Sequence, residues 1–182
     1  MGRIAAVVLA AGEASRFGSP KQQLLLPHVL ERLREAPVDE IVVVEGAYEL
    51  SLSSDLVSPG PLVRLVRCDD WAVGPGASLR CGLAALGADV DAAVVIMADG
   101  PHLSPAAVER VVEAWRASGG IVAASYGGDR GHPLVVGRRR WSDVPDEGLR
   151  GRDVRLVPCD DLGAPGDVDR PEDLGGAEPE RG

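Results

Sequence analysis

Two cations, Arg16 and Lys21, follow a loop of small residues near the N-terminus. The loop begins with Leu9, Ala10, Ala11 and Gly12. Small residues let a ligand approach the backbone closely, and the N–H groups of such a loop can donate to phosphate oxygens. The guanidinium adds a planar fork of donors and the ammonium adds a mobile point charge. The stretch predicts a phosphate site, and the simpler interpretation is a strand-to-helix turn with two solvated cations.

Three aspartates are positioned to hold a cation. Asp99 directly follows the apolar run 94–97, and a carboxylate at the carboxyl end of a buried strand is well placed to hold Mg²⁺. Asp167 and Asp169 alternate, so their side chains face the same way in an extended segment. The residues alone leave open a turn aspartate at position 99 and an acidic loop before a short helix at 167–169.

A parallel sheet would bring these loops together. Apolar runs predict strands at 4–9, 41–44, 62–66, 94–97, 121–124, 132–136 and 154–157. Helical spacing predicts helices at 22–36, 78–86 with Ser78 as its cap, 105–118, and short ones at 47–56 and 146–150. Buried strands that alternate with helices indicate an α/β fold with a mostly parallel sheet, a Rossmann-like three-layer α/β/α arrangement. We expect one domain over residues 1–174 and a disordered tail at 175–182.

Composition excludes some classes of function. The chain has 182 residues and a net charge of −9, which argues against a nucleic-acid surface. No apolar run is long enough to cross a membrane. An acidic protein can still bind a nucleotide if cations are focused locally and a divalent metal assists. Three scattered cysteines predict a reducing, cytoplasmic location rather than a disulfide framework.

The motifs resemble those of a known family. L-A-A-G-x-x-x-R-x-G-x-x-K at residues 9–21 is similar to the signature loop of nucleotidyltransferases that activate sugars and cofactors. W-x-x-G-x-x-x-S-L-x-x-G-L at 71–83 resembles their molybdenum cofactor cytidylyltransferase branch. The D-G-P, R-G-H-P, D-E-G and D-V-D-R-P-E-D-L segments, at 99–101, 130–133, 146–148 and 167–174, follow in that branch's order. The resemblance spans almost the whole chain.

This resemblance implies an Mg²⁺-dependent transfer of CMP or GMP from CTP or GTP to a phosphorylated acceptor of molybdopterin type, with release of pyrophosphate. Its catalytic residues would be Arg16 and Lys21, and its metal ligands Asp99 and Asp169, with Asp167 as the alternative to Asp169. The nucleotide would contact Leu9, Ala10, Ala11, Gly12, Arg16, Lys21, Ser78 and Asp99. Arg80 would touch nucleotide or acceptor, and His132 the acceptor. An acceptor enzyme and a homodimer are both open as protein partners.

Three features depart from the family pattern. Glu13 places a carboxylate in the phosphate loop, the segment after Lys21 is short, and Ala98 stands where glycine is common. Two alternatives therefore stay open. One is a transferase for another small phosphate, such as phospholactate, phosphoenolpyruvate or a sugar phosphate. The other is a non-catalytic protein that binds a nucleotide or a partner on the same fold.

Overall fold

A seven-stranded sheet runs through the middle of the computed structural model, which describes residues 2–13, 21–53 and 60–168. Its strands are β1 (Arg3–Leu9), β2 (Glu40–Glu45), β3 (Leu62–Arg67), β4 (Val90–Met97), β5 (Ile121–Tyr126), β6 (Asp129–Gly137) and β7 (Arg155–Pro158). The helices are α1 (Lys21–Arg34), α2 (Pro75–Ala84) and α3 (Pro105–Ser118), with 3₁₀ turns at Trp71–Val73, Arg138–Asp143 and Asp160–Leu162.

The strand order is β3-β2-β1-β4-β6-β5-β7, and β6 alone among these strands runs antiparallel to its neighbours. The first strand therefore lies between β2 and β4, so the loops that leave β1 and β4 emerge side by side at one edge. The expected α/β fold with a mostly parallel sheet is confirmed.

Helices cover both faces of the sheet. On one face, α1 and α3 bury leucines and valines against Ile4, Ala6 and Val8 of β1. On the other face, α2 packs Leu79 and Leu83 against Ala5 and Val7. Successive residues of β1 thus enter opposite cores, as the twofold period of a strand requires. This confirms the three-layer arrangement.

Most predicted elements are present, with differences at three places. The second helix begins at Pro75, because Gly74 and a proline at the first helical position start it earlier than Ser78. Ser78 is instead buried inside the helix. Residues 146–150 form turns around Gly148, which has a φ of 81°, rather than a helix. Residues 47–53 are not helical; the rest of that predicted helix, and the predicted tail, lie outside the described residues.

The cysteine prediction is wrong. Cys68, just after β3, and Cys81, on α2, form a disulfide, with their Cα atoms 5.8 Å apart, while Cys159 is free and buried. Spacing did not reveal this pair, because only the docking of α2 beside the end of β3 brings the two residues together. The predicted reducing, cytoplasmic location loses that support. Within the described segments, no helix has the length and hydropathy needed to span a bilayer.

Gly82 fixes how closely α2 approaches the sheet. A Cβ atom at this position would lie 2.5 Å from Cγ1 of Val7 and 2.8 Å from Cγ2 of Val44, both in the core. Contacts this short force core side chains or the helix to move.

We predict that Gly82→Ala lowers the free energy of unfolding by about 1–3 kcal/mol through overpacking. This loss should exceed the gain of about 1 kcal/mol that alanine brings to a helix interior. Chemical denaturation measures the difference. Gly151→Ala is the control, since a Cβ there meets nothing within 4 Å; equal stability of the two variants would contradict the packing argument.

Candidate active site

The loop after β1 is held on both sides by neighbouring strands. The amide of Ala10 donates to the carbonyl of Val44 at 2.9 Å, and the amide of Ala98 donates to the carbonyl of Leu9 at 3.1 Å. Ala10 and Ala11 are buried, whereas Gly12 borders open space, since a Cβ there would meet nothing within 4 Å. The 9–12 loop therefore sits at the carboxyl edge of the sheet with its last residue exposed.

Two of the three departures have structural explanations. Ala98 is 1% exposed and packs in the core beneath α1 and α3, so its methyl group does not crowd the site. The segment after Lys21 is short because α1 begins at Lys21 itself and continues through Pro27. Glu13 is exposed. Arg16 and Asp169, two predicted site residues, lie outside the described residues.

Gln22 supports the loop and was missed from the sequence. Its Nε2 donates to the carbonyl of Gly12 at 2.9 Å, and the residue is only 6% exposed. Its Oε1 atom is buried without a hydrogen-bond partner. The available signal was helical spacing, because Gln22 falls three and four residues before buried Leu25 and Leu26.

Lys21 joins the start of α1 to two distant segments. Its ammonium donates to the carbonyl of Val168 at 2.8 Å and lies 3.3 Å from Oδ2 of Asp99 and 3.8 Å from Oδ1 of Asp167. The amide of Val168 donates to the carbonyl of Asp99 at 3.3 Å. The Lys21 side chain is 11% exposed, so its charge is largely removed from water and neutralised by these carboxylates. The structure thus brings three predicted site residues together.

The acidic pair Asp99 and Asp167 has the chemistry to hold a divalent cation. Both carboxylates already surround a positive charge, and oxygen ligands are those that Mg²⁺ prefers. Within the described ranges, no group of three or more histidine, cysteine, aspartate or glutamate side chains is arranged around a common point. A pair is nevertheless sufficient, because Mg²⁺ usually takes one or two carboxylates and completes its shell with phosphates and water.

A cleft of about 670 Å³ opens beside this acidic pair. It extends from Leu9 and Asp99 over β4 and β6 to residues 147–150 and 164–167. Apolar side chains form much of its lining, including Leu79, Ile96, Leu103, Leu134 and Leu149. The polar side chains of its far part are those of Tyr126, Arg130, His132, Glu147 and Arg150.

One wall of the cleft is a contact between α2 and residues 144–146. The amide of Gly76 donates to the carbonyl of Asp146 at 2.9 Å, and a Cβ at Gly76 would lie only 1.6 Å from the Pro145 carbonyl oxygen. Arg80 donates to the Val144 carbonyl at 2.8 Å and pairs with Oδ1 of Asp146 at 2.5 Å. Arg80 therefore holds the wall in place. The expected ligand contacts of Arg80 and of the buried Ser78 stay predictions.

His132 lies in the cleft between opposite charges. Burial lowers the pKa of its imidazole to about 4; the nearby charge of Arg130 adds to this effect and Asp99 opposes it. The peptide bond to Pro133 is cis, and the His132 carbonyl accepts a hydrogen bond from the Tyr126 hydroxyl at 3.0 Å. At neutral pH the imidazole is uncharged, so it can donate and accept hydrogen bonds but adds no charge to the cleft.

A family model described as the MobA-like NTP transferase domain matches residues 6–157, a range that includes the 9–12 loop, Lys21 and Asp99. The chain belongs to this family. The predicted resemblance to NTP transferases is therefore confirmed.

Solved structures agree with this membership. Rv0371c from Mycobacterium tuberculosis H37Rv superposes with a TM-score of 0.77 and 28% identity, covering 96% of this chain and 97% of that one. Rv0371C from the same organism in complex with manganese gives a TM-score of 0.70 and 26% identity, covering 96% and 97% of the two chains.

A curated relative matches only in part. The bifunctional protein GlmU of Kineococcus radiotolerans is 33% identical over 127 residues, which is 65% of this chain and 26% of that protein. The match thus spans about a quarter of the relative's length.

We predict that His132 makes stability fall as the pH drops from 6.5 towards about 4. In this window the imidazole binds a proton in the unfolded chain but not in the folded protein. The free energy of unfolding therefore falls by at most about 1.4 kcal/mol for each pH unit that the pH drops. Thermal unfolding at a series of pH values should show a shallower decline for His132→Asn than for the wild type.

His28→Asn, on the exposed side of α1, removes a solvated imidazole and is the matched control. It should keep the wild-type slope. Identical slopes for wild type and His132→Asn would show that His132 is not a buried neutral group.

Proposed function

We propose that this protein is a nucleotidyltransferase that moves CMP or GMP from a nucleoside triphosphate to a small phosphorylated acceptor. The observation that carries this proposal is the meeting of Lys21, Asp99 and Asp167 at the sheet edge, beside the 9–12 loop and the cleft. Phosphates are held by cations and backbone donors, and at this edge Lys21 and the 9–12 loop are the candidates to supply them. The cleft supplies room for a second substrate.

The transfer needs no protein nucleophile. An oxygen of the acceptor phosphate attacks the α-phosphorus of the triphosphate, a new P–O bond forms, and the bond to pyrophosphate breaks. The protein's tasks are to align the two substrates and to neutralise negative charge that grows on the leaving group. Lys21 is placed for the second task, and we assign the same role to Arg16.

Asp99 is the metal ligand that we propose, together with Asp169 or Asp167. The carboxylate pair around Lys21 fits a hard divalent cation, and the related structure of Rv0371C contains manganese. When bound, Mg²⁺ would supply positive charge that stabilises the pyrophosphate leaving group. We propose Mg²⁺ as the physiological ion.

We favour a molybdopterin-type acceptor because the tryptophan-glycine-serine motif at 71–83 and the segments that follow it resemble that branch of the family. In the structure two of these segments form one unit, the wall in which Gly76 and Arg80 contact residues 144–146. A cleft with leucine and isoleucine walls suits an acceptor with an apolar ring system.

We predict that CTP or GTP, in the presence of Mg²⁺ or Mn²⁺, stabilises the protein, and that Asp99→Asn weakens this binding at least tenfold. The amide keeps the size of the side chain but removes the charge that would hold the cation. Thermal shifts with CTP, GTP, ATP and UTP identify the base, and pyrophosphate release with a phosphorylated pterin measures transfer. A ligand at 100 times its dissociation constant adds about 2.7 kcal/mol to stability.

The control is Asp153→Asn, an exposed carboxylate that does not line the cleft. It should bind nucleotide as the wild type does. If no nucleotide stabilises the wild type, the proposed activity is wrong. If a nucleotide binds but no pyrophosphate is released with any acceptor, the non-catalytic alternative is favoured.

A further inference from the structure

Two arginines of the cleft belong to segments that contact each other. Arg130, at the start of β6, donates from Nη1 to the carbonyl of Leu149 at 2.7 Å. Leu149 directly precedes Arg150, so this bond brings the Arg130 side chain against the backbone that carries the second guanidinium. Both side chains line the cleft.

Neither guanidinium is neutralised by a carboxylate of the described residues, where no ion pair within 4.0 Å involves Arg130 or Arg150. Three carboxylates of the described residues line the cleft, and two of them, Asp99 and Asp167, flank Lys21. The third, Glu147, is exposed. The pKa of Arg130 is lowered by burial and by the charge of Arg150, which places two like charges close together.

Other arginines of this acidic chain, whose net charge is −9, do face carboxylates: Arg80 pairs with Asp146, and Arg110 with Asp161. Arg130 and Arg150 instead line the same cleft, and Arg150 is exposed. Two like charges repel each other, and an anion that binds both of them relieves this repulsion. The part of the cleft that these two arginines line, its basic end, therefore has the chemistry to bind an anionic ligand.

The position of this basic end relates it to the acceptor. His132, Asp99 and Arg130 all line the cleft, and the charges of Asp99 and Arg130 both act on the imidazole, so the arginines share one cleft with the acidic pair. Leu134 and Leu149 line the same region. A ligand that bridges the two ends would meet apolar walls between a metal-binding end and a cationic end.

We propose that Arg130 and Arg150 form an anion subsite for the acceptor, which selects acceptors that carry an anionic group, phosphate or carboxylate, on an apolar body. This inference rests on the proposed function, since it takes the Lys21 end as the nucleotide end. A guanidinium pair suits either anion through bidentate hydrogen bonds.

The test titrates the full chain with two probes, phenyl phosphate and benzoate, and measures binding from the shifts of amide NMR signals. Both probes present an anion on an apolar ring, and they distinguish phosphate from carboxylate. Arg150→Gln should weaken the binding of the preferred probe at least fivefold, and Arg139→Gln, an exposed arginine that does not line the cleft, should leave it unchanged.

Arg130→Lys is the second variant, because full truncation would remove the bond to Leu149 and disturb the fold. It keeps a positive charge but loses the fork of donors, so weaker probe binding with an unchanged melting temperature supports the subsite. Equal probe affinity in wild type and Arg150→Gln would overturn the inference.

Nucleotide titrations of the same variants separate this inference from the proposed function. CTP or GTP with Mn²⁺ should bind Arg150→Gln as tightly as the wild type. If nucleotides bind and neither probe depends on Arg150, only the acceptor subsite is wrong. If the wild type binds a probe through Arg150 but no nucleotide, the anion subsite stands and the transferase assignment fails.

Discussion

The ammonium of Lys21 is the charge on which the geometry of the site depends. It connects the first residue of α1 to Asp99, at the end of β4, and to Val168, which is 147 residues away in sequence. The carboxylates of Asp99 and Asp167 lie 3.3 and 3.8 Å from this ammonium, and their like charges would repel each other without a cation between them. The lysine thus holds the acidic pair together in the free protein, at the place where a metal and the phosphates of a nucleotide would share the same charges.

The antiparallel strand β6 gives the cleft its second half. Leu134 pairs with Val95 of β4, so the earlier residues of β6 extend towards the carboxyl end of β4 rather than away from it. A parallel strand in this position would have placed those residues at the opposite edge of the sheet. The reversal therefore brings Arg130 and His132 to the edge where Asp99 lies, and one sheet supplies both ends of the cleft.

Sequence reasoning located Lys21, Asp99 and Asp167 because motifs and strand ends are local features that a parallel sheet gathers at one edge. It did not reveal the reversal of β6 or the Cys68–Cys81 disulfide, since partner choice between strands and helices is a tertiary property. Ser78 was assigned to a cap by residue type alone, although Gly74 and Pro75 start the helix one turn earlier. Gln22 was not identified because it is a polar residue on the buried face of a helix, where sequence patterns predict apolar side chains.

The distribution of charge explains how an acidic chain can serve anionic substrates. Net charge acts over a distance that salt limits to about 10 Å, whereas fixed charges in a cleft act at contact. Most described arginines donate hydrogen bonds to, or form ion pairs with, nearby carboxylates or carbonyls, as Arg80 does with Asp146 and Val144. Among the described residues that line the cleft, Arg130 and Arg150 are cations without an ion pair, while the acidic pair suits a cation. A ligand that contacts both a metal ion held by the acidic pair and the two arginines must itself carry negative charge.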